Sequence, residues 1–335
     1  MTWLAFRRHR TNLLILLGLA LGLGLWMVVV AHGFDTIPLK SGLGPGGNVY
    51  RYRDYFQGSV LLRLPYQADV ILYLLLAFPA VAGALLGAPL VAGELDGATN
   101  RLAWTQGITR TRWLVTKWAV VGIPVVLLGW LLALVTQWWS HHVIVVGIPV
   151  GVFMSALDSG FSRIDPQVFS TTGLVPVAYT LFAFALGTAL GALLRRVSLA
   201  AIGTFVIYGV LALVMVSTVR PALAPQTFIP TPWPTEHVAG LVIPEARAAW
   251  YLDYGYEFLP GIHHPGGPSA DTLGHGCEGA PDTVTCFERH GIVPGIYVQP
   301  DTNYWTLQWR ESLIYSVAAV LLLLVSLGSV RRWRA

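Results

Sequence analysis

The chain has 335 residues, of which 55% are hydrophobic and only 11% are charged. Because soluble domains carry about 25% charged residues, this composition excludes an ordinary water-soluble protein. The formal net charge of +4 would suit a nucleic-acid partner. However, the basic residues are concentrated in a few short connections between apolar segments, and this distribution excludes nucleic acid.

Six segments are apolar over about 20 residues, the length that a helix needs to cross ~30 Å of hydrocarbon. The first follows a basic stretch, as the core of a signal peptide does, but it is longer than a usual signal core. We therefore expect an all-α integral membrane protein with six transmembrane helices. The predicted spans are Leu13–Ala31, Val70–Ala92, Leu114–Thr136, Thr172–Leu194, Val197–Ser217 and Ser312–Val330.

The distribution of charge predicts the orientation of these spans. Alternate connections share a side, and one set comprises residues 1–12, 93–117, 195–196 and 331–335. This set contains 12 basic and two acidic residues, whereas the longer connections of the other set contain 9 and 15. Basic residues accumulate in short cytoplasmic loops, so we expect both termini in the cytoplasm, next to anionic lipid head groups.

Residues 218–306 are expected to form an extracytoplasmic cap between helices 5 and 6. Prolines in its first third predict an absence of regular structure there, because proline lacks a backbone N–H. The aromatic cluster that follows is expected to pack as the core of the cap, with contact to an apolar substrate as the alternative. The prolines are Pro221, Pro225, Pro230, Pro232, Pro234 and Pro244, and the aromatic residues are Trp250, Tyr251, Tyr254, Tyr256 and Phe258.

The only two cysteines, Cys277 and Cys286, are separated by eight residues in this cap. An oxidising compartment favours a disulfide between them. The alternative is a metal site formed with nearby histidines, but no pair there has the compact spacing of a zinc site, and we expect no metal. Those histidines are His263, His264, His275 and His290.

The predicted spans have no Asp, Glu, Arg or His in their middles. Ion-coupled carriers generally need ionisable or discontinuous polar sites at mid-depth, so we do not expect coupling to an ion gradient. The sequence also lacks the G-x-x-x-x-G-K-S/T loop that binds nucleotide phosphates. Any energy from nucleotide hydrolysis must come from a separate subunit, and the chain itself is not expected to be an enzyme.

Three spans contain pairs of glycines spaced four residues apart. Such a pair lies on one helix face and lets another backbone approach closely. Both packing within the chain and a dimer interface explain this pattern, and the sequence leaves the two open. The pairs are Gly18/Gly22, Gly83/Gly87 and Gly187/Gly191.

The connection between the second and third spans, residues 94–113, is dense in helix-capping and basic residues. We expect a short helix over about residues 98–106, near the membrane surface. A second helix is expected to start after it, capped by Thr109 or Thr111, because threonine is a favoured N-cap residue.

Glu94 and Asp96, the two acidic residues of this loop, are expected near a helix start, where the helix dipole favours acids. The loop suits a docking helix for a cytoplasmic partner. A loop that merely obeys the positive-inside bias explains the same residues, so their chemistry alone does not decide between the two.

One long motif in this loop resembles the cytoplasmic loop of ABC-2-type transporter permeases of the actinobacterial type. It reads Glu94-Leu-Asp-Gly-Ala-Thr, followed by Leu102-Ala-Trp-Thr-Gln-Gly-Ile-Thr-Arg-Thr-Arg-Trp113. Residues 176–191, which lead to Arg195-Arg196, and residues 299–311, which open the last span, resemble the same family. The resemblance covers most of the chain.

In that family the loop after the second span holds a coupling helix that fits a cleft on the ATPase subunit. The resemblance therefore implies ABC ATPase subunits that carry ATP and Mg, a second permease copy, identical or sibling, and no cofactor in this chain. It also implies an interfacial elbow helix at the start of the chain. The implied coupling residues are Glu94, Asp96, Gly97, Thr99, Arg101, Trp104, Thr105, Arg110 and Arg112.

The resulting prediction is a permease subunit in the bacterial plasma membrane that exports a hydrophobic or amphipathic compound. Hydroxyls of Tyr73, Tyr179 and Tyr208 are expected to line the pathway. The alternatives are a membrane enzyme or metal-binding protein that uses the outer His/Cys loop, and a sensor or immunity protein without transport. The predicted divisions of the chain are the elbow (1–12), helices 1–5 (13–217), the cap (218–306) and helix 6 with its basic tail (307–335).

Overall fold

The computed structural model of the protein describes residues 2–35, 39–43, 49–53, 63–96, 109–144, 163–230, 249–259, 268–278 and 282–332. Within these residues, six helical segments are long and apolar enough to cross a membrane. Each overlaps one predicted span, which confirms an all-α membrane fold with six spanning segments. They are His9–Gly33, Tyr66–Glu94, Arg110–Ser140, Val175–Leu194, Val197–Ala222 and Asp301–Arg332.

The first third of the chain forms two spans with a short hairpin between them. Helix α1 runs unbroken from its first described residue, so residues 2–12 continue the first span as one helix. Whether this start lies along the membrane surface stays a prediction. The elements are α1 (Thr2–Asp35), β1 (Leu39–Leu43), β2 (Val49–Arg53) and α2 (Arg63–Ala82), which continues through a π-helical turn (Gly83–Gly87) into α3 (Ala88–Asp96).

The remaining elements form four further spans and the cap. Two of these spans again contain a π-helical turn. The elements are α4 (Arg110–Lys117), a π-helical turn (Trp118–Gly122), α5 (Ile123–Ile144), α6 (Pro166–Thr171), α7 (Val175–Leu194), α8 (Val197–Val214), a π-helical turn (Met215–Val219), α9 (Arg220–Ala222), β3 (Thr227–Pro230), β4 (Ala249–Phe258), α10 (Ala270–Glu278), α11 (Thr283–His290), β5 (Ile292–Pro300), a 3-10 turn (Asp301–Asn303) and α12 (Tyr304–Arg332).

Helix α7 is the central helix of the bundle. Of its 20 residues 14 are buried, whereas only three of the 18 residues of α8 are buried. The sequence explains this position, because α7 is apolar on every side, as a helix surrounded by protein is. Helices α2, α3, α5, α8 and α12 all pack against it.

Two of the three glycine pairs pack against α7 or belong to it. A Cβ atom on Gly187 would overlap the carbonyl oxygen of Gly83, and one on Gly87 would lie 2.5 Å from the carbonyl oxygen of Phe184. The backbones of the second and fourth spans therefore touch at these positions. For these two pairs the structure decides in favour of packing within the chain.

The glycine pair of α1 behaves differently. Among the described residues, a Cβ atom on Gly18 or Gly22 would meet nothing within 4 Å. This face of α1 packs against no other part of the described chain, so the dimer interpretation stays open for it alone.

Basic residues gather at one end of the bundle, which we call the basic end. Arg110 and Arg331 contact each other there, and Arg195 closes the tight turn between α7 and α8. Arg195 adopts the left-handed conformation, with φ 57, and its N–H donates to the carbonyl oxygen of Gly191 at 3.1 Å. The opposite end carries the cap and is called the cap end.

The cap contains a three-stranded antiparallel sheet in the order β3-β5-β4. Strand β5 lies in the middle and pairs with β4 along its whole length, with a register shift between Tyr251 and Asp253. Helices α10 and α11 pack beside this sheet. The sheet brings together segments that are distant in the sequence and so fixes the cap as one folded unit.

The expectation of no regular structure in the first third of the cap is wrong in part. Pro221 lies in the first turn of α9, and Pro230 ends the edge strand β3. Pro221 comes two residues after a π-helical turn, where the regular ladder of backbone hydrogen bonds is interrupted, and an edge strand has an unpaired side that tolerates Pro230. Residues 231–248, with the later prolines, lie outside the described residues.

The aromatic residues of β4 divide between buried and exposed positions. Tyr256 is buried and stacks on Phe287, with ring centroids 5.3 Å apart. Trp250 packs against the membrane core, whereas Tyr251 and Tyr254 are exposed. Tyr256 therefore has the expected packing role, and the two exposed tyrosines keep the alternative of contact with a substrate.

The glycine contacts predict a contrast between two substitutions. Gly187→Leu forces a side chain into the backbone of the second span and should destabilise the bundle by about 3 kcal/mol. Gly18→Leu should leave the stability of the single chain unchanged, because its face is open. Thermal unfolding of the detergent-purified variants measures both. An equal loss of stability at the two positions would contradict the packing described here.

Candidate functional site

A buried ion pair closes the base of the loop between the second and third spans. Lys117 Nζ lies 2.6 Å from Glu94 Oε1 and donates to the carbonyl oxygen of Leu90 at 2.9 Å. The ammonium also lies 4.1 Å from the centroid of the Trp113 ring. The side chains of Lys117 and Glu94 are only 5% and 10% exposed, so salt screens the pair weakly. Helices α3 and α4 are thus held together where the loop begins and ends.

The structure corrects the predicted end of the second span, because the helix continues through Glu94 to Asp96 in the last turn of α3. The short helix that these two acids were expected to precede falls outside the described residues. The dipole disfavours a carboxylate at a helix C-terminus, and the contact with Lys117 offsets this for Glu94.

Thr109 is the N-cap of α4, as predicted. Its hydroxyl oxygen accepts a hydrogen bond from the Arg112 N–H at 3.3 Å. Two further bonds join this helix start to the end of α12. Arg110 Nη1 donates to the carbonyl oxygen of Arg331 at 3.1 Å, and Arg331 Nε donates to Thr111 Oγ1 at 3.2 Å. The second flank of the loop is therefore bound to the last span as well as to α3.

Several of the predicted coupling residues, and the short helix expected over residues 98–106, lie outside the described residues. Of the others, Glu94 is buried in the ion pair, and Arg112 is exposed at the start of α4. The structure thus brings the two flanks of the loop together. The undescribed coupling residues are Gly97, Thr99, Arg101, Trp104 and Thr105.

At the cap end a second charged pair is fully enclosed. Arg220 Nε and Nη2 donate to the two carboxylate oxygens of Glu311 at 2.8 and 2.9 Å, and both side chains are 0% exposed. Arg220 Nη2 also donates to Ser170 Oγ at 2.7 Å and to the Tyr179 hydroxyl oxygen at 3.2 Å. The Tyr179 hydroxyl donates to Glu311. We call Ser170, Tyr179, Arg220 and Glu311 the polar cluster.

The polar cluster joins α6, α7, α9 and α12 at one point. Gln308, one turn before Glu311, extends it along α12. Its Oε1 accepts from the N–H groups of Leu174 at 2.8 Å and Val175 at 3.0 Å, which caps the start of α7 from the neighbouring helix. Its Nε2 donates to the carbonyl oxygen of Phe169 at 3.1 Å. The ends of three helices, α6, α7 and α9, therefore depend on two side chains of α12.

The polar cluster was not predicted from the sequence, because the fifth and sixth spans were predicted to be shorter than they are. The predicted fifth span ended at Ser217 and the sixth began at Ser312, which left Arg220 in the cap and Glu311 just outside the predicted sixth span. In the structure both belong to the spanning helical segments, toward the cap end. The sequence did contain a signal for this pair. Arg220 follows the fifth predicted span and Glu311 precedes the sixth, and two antiparallel neighbouring spans bring those ends together.

The three tyrosines expected to line a pathway have different surroundings. Tyr179 and Tyr208 are buried, with ring centroids 6.0 Å apart in an edge-to-face contact. The Tyr208 hydroxyl donates to the carbonyl oxygen of Leu76 at 3.4 Å. Tyr73 is 58% exposed, and its hydroxyl accepts from Gln167 Nε2 at 3.0 Å. A lining role stays a prediction for all three.

The predicted disulfide is present. Cys277 of α10 and Cys286 of α11 are bonded to each other. A ring nitrogen of His290, one turn after Cys286, lies within 4.8 Å of both sulfur atoms. His263 and His264 lie outside the described residues.

Beside the disulfide, Tyr256, Glu278 and His275 form a small hydrogen-bonded group in the cap. The Tyr256 hydroxyl donates to Glu278, and this hydrogen bond, with a smaller contribution from His275, lowers the pKa of the Glu278 carboxyl. His275 Nδ1 lies 3.3 Å from the second carboxylate oxygen of Glu278. Burial raises the pKa of Tyr256, so its hydroxyl keeps its proton and remains a donor.

The polar cluster predicts an unequal cost of single and double substitutions. Arg220→Met or Glu311→Leu leaves one buried charge unpaired and should destabilise the protein by ~3–5 kcal/mol. The double variant should lose less stability than either single variant, because it buries no charge. Thermal unfolding in detergent measures this difference. Arg310→Met, at the exposed neighbouring position, serves as the control and should change stability little, because Arg310 donates only a solvent-exposed hydrogen bond to the carbonyl oxygen of Leu223. Additive losses in the double variant would contradict the pairing.

Residues 15–220 match the profile of a protein family described as ABC-2 membrane transporter related. The match covers more than half of the chain and includes the loop with the Glu94–Lys117 pair. No curated protein and no solved structure gives a significant match. The resemblance to ABC-2-type permeases is confirmed, whereas the actinobacterial type stays a prediction. Permeases of this kind work in general with an ABC ATPase. With its six apolar spanning segments, the chain is a multi-pass membrane permease that belongs to the ABC-2 membrane transporter related family.

Proposed function

We propose that the chain is the membrane subunit of an ABC exporter in the bacterial plasma membrane, and that it moves a hydrophobic or amphipathic compound by alternating access. The observation that carries this proposal is the buried Glu94–Lys117 pair at the base of the loop between the second and third spans. The basic end, with the loop and both termini, would face the cytoplasm, since basic residues accumulate there. The cap would face the other side.

The closed base makes this loop suitable for transmitting force. A protein that displaces residues 97–108 displaces α3 and α4 together, because Lys117 contacts both Glu94 and Leu90. Helix α12 follows, because two hydrogen bonds, Arg110–Arg331 and Arg331–Thr111, join it to α4. A loop fixed at only one flank would bend instead of moving three helices.

Helix α12 connects the loop to the cap end. It is 29 residues long and unbroken, which corresponds to about 43 Å at a rise of 1.5 Å per residue. Near its cap end it carries Gln308 and Glu311, which hold the ends of α6, α7 and α9. A displacement at the basic end therefore has a direct mechanical route to the polar cluster, where the spans meet the cap.

The chemistry of the spans favours an apolar or amphipathic cargo. The two buried ion pairs lie toward the ends of the spanning segments. Between them, the buried hydroxyls of Thr188 and Thr204 donate to carbonyl oxygens of their own helix, and apolar side chains dominate. A surface of this kind offers little to a charged solute. Tyr73, Tyr179 and Tyr208 are the proposed contacts for the compound.

The proposed assembly contains two permease copies, identical or sibling, and two ABC ATPase subunits that bind ATP and Mg. The chain itself would need neither a cofactor nor a catalytic residue. The open face of α1 with Gly18 and Gly22 is the proposed contact with the second copy, because close backbone approach needs such a face.

The coupling role of the ion pair predicts a defect in ATPase binding. In Glu94→Ala the base of the loop opens, and binding of the cognate ABC ATPase to the detergent-purified permease should weaken at least about tenfold, equivalent to ~1.4 kcal/mol. The charge-swapped variant, Glu94→Lys with Lys117→Glu, should recover part of this loss. Co-purification and the stimulated rate of ATP hydrolysis measure the two effects.

The matched control for this experiment is Arg196→Ala. Arg196 is exposed at the basic end, in the turn between α7 and α8, and its loss should leave ATPase binding unchanged. If Glu94→Ala binds and stimulates the ATPase as the unmodified chain does, the coupling proposal is wrong. If the unmodified permease itself binds no ABC ATPase, the exporter proposal is wrong, and a non-transporting role would be favoured.

A further inference from the structure

Helices α10 and α11 bring three potential metal-ligand atoms, two sulfur and one nitrogen, to one point in the cap. The sulfur atoms of Cys277 and Cys286 and a ring nitrogen of His290 lie within 4.8 Å of one another. Cys286 and His290 are four residues apart on α11 and therefore share a helix face. Cys277 is 2% exposed, so this point lies against the core of the cap.

Contacts other than the disulfide hold α10 in place. The Tyr256 N–H donates to Asp271 Oδ1 at 3.0 Å, and the Tyr256 hydroxyl donates to Glu278. Both acceptors belong to α10. The ring of Tyr256 also stacks on Phe287 of α11 at an interplanar angle of 19°. One strand residue thus positions both helices independently of the sulfur atoms.

Helix α11 is capped at both ends. At its start, Asp282 Oδ1 accepts from the Thr285 N–H at 3.2 Å. At its end, Gly291 adopts φ 61 and stops the helix directly after His290. Glycine takes this left-handed conformation at no steric cost. His290 is therefore fixed in the last turn, and the two cysteines, with Cα atoms 5.7 Å apart, would remain neighbours after the disulfide opens.

We propose that the cap holds a redox-gated metal site, in which reduced Cys277 and Cys286 together with His290 bind one Zn²⁺ or Cu⁺ ion. A ligand set of thiolate sulfur and imidazole nitrogen selects Zn²⁺ or Cu⁺, whereas Mg²⁺ and Ca²⁺ prefer oxygen ligands. Three protein ligands leave the fourth tetrahedral position to water or an external ligand. This inference does not depend on the proposed transport function.

Opening of the disulfide requires an external reductant such as a dithiol. The dithiol gives two electrons and two protons to the disulfide and becomes a disulfide itself, which leaves Cys277 and Cys286 as thiols. The cation then displaces the two thiol protons and binds the thiolates. In the oxidised cap each sulfur is bonded to the other and is not a thiolate, so the site is closed to metal.

The test uses the full-length protein in detergent, without a histidine tag. The protein is reduced with a phosphine, freed of reductant without oxygen, and titrated with Zn²⁺ against a chromophoric chelator. We expect one Zn²⁺ per chain in the reduced protein and none in the oxidised protein. Co²⁺ in place of Zn²⁺ should show the thiolate-to-metal charge-transfer absorption, which the double variant Cys277→Ser, Cys286→Ser abolishes.

Two histidine variants distinguish the site from a simple pair of thiols. His290→Ala removes the third ligand and should weaken Zn²⁺ binding by at least roughly a hundredfold, since loss of even an outer-shell partner of a ligand costs up to that factor. His275→Ala is the matched control, since His275 is an exposed histidine of the same cap and contacts Glu278. It should bind Zn²⁺ as the unmodified protein does.

Other outcomes would overturn the proposal. These are equal Zn²⁺ affinity in the oxidised and reduced proteins, unchanged affinity in His290→Ala, or no binding by the reduced protein. Thermal unfolding of oxidised His290→Ala checks its fold and should match that of the unmodified protein. As a second readout, bound Zn²⁺ should protect both thiols from alkylation, and unprotected thiols count against the site.

Discussion

Arg220 and Glu311 are both removed from solvent inside the bundle, and each alone would cost several kcal/mol to desolvate. Their two-point contact restores part of that cost, and Ser170 and Tyr179 occupy further hydrogen-bonding positions of the pair. The arrangement works only when α6, α7, α9 and α12 all hold their places. A charge pair of this kind therefore constrains the rotation and height of four helices, which apolar contacts alone do not do.

A second ion pair, between Glu94 and Lys117, lies near the opposite end of the bundle. Between the two pairs, the spans contact one another mainly through apolar and small residues, with backbones touching at Gly83 and Gly187. Non-directional apolar contacts let helices shift against one another, whereas each buried charge pair keeps the helix ends that it joins at a fixed separation. In the proposed alternating access, helix ends that share a charge pair would therefore move as one unit.

Part of this structure could be predicted from the sequence. Long apolar runs predicted the six spans. The preference of threonine for the N-cap predicted the role of Thr109, and two cysteines in one loop predicted the disulfide. Local sequence patterns did not predict the structure where it depends on a contact between residues far apart in the sequence. The helix around Glu94 continues because Lys117, 23 residues later in the sequence, compensates its charge. Strand β3 pairs with β5 across most of the cap, and neither segment has an alternating pattern clear enough to reveal this.

The π-helical turn Met215–Val219 stands directly before Arg220. Such a turn holds one residue more than an α-helical turn, so everything after it is rotated by about 100° relative to a regular helix. Without that extra residue, the guanidinium would be directed away from Glu311, and toward lipid or a neighbouring helix. The one extra residue in this turn thus directs Arg220, the only basic residue of the segment Val197–Ala222, toward Glu311. If the extra residue moved past Arg220, the guanidinium would turn away from Glu311 while the helix stayed wound.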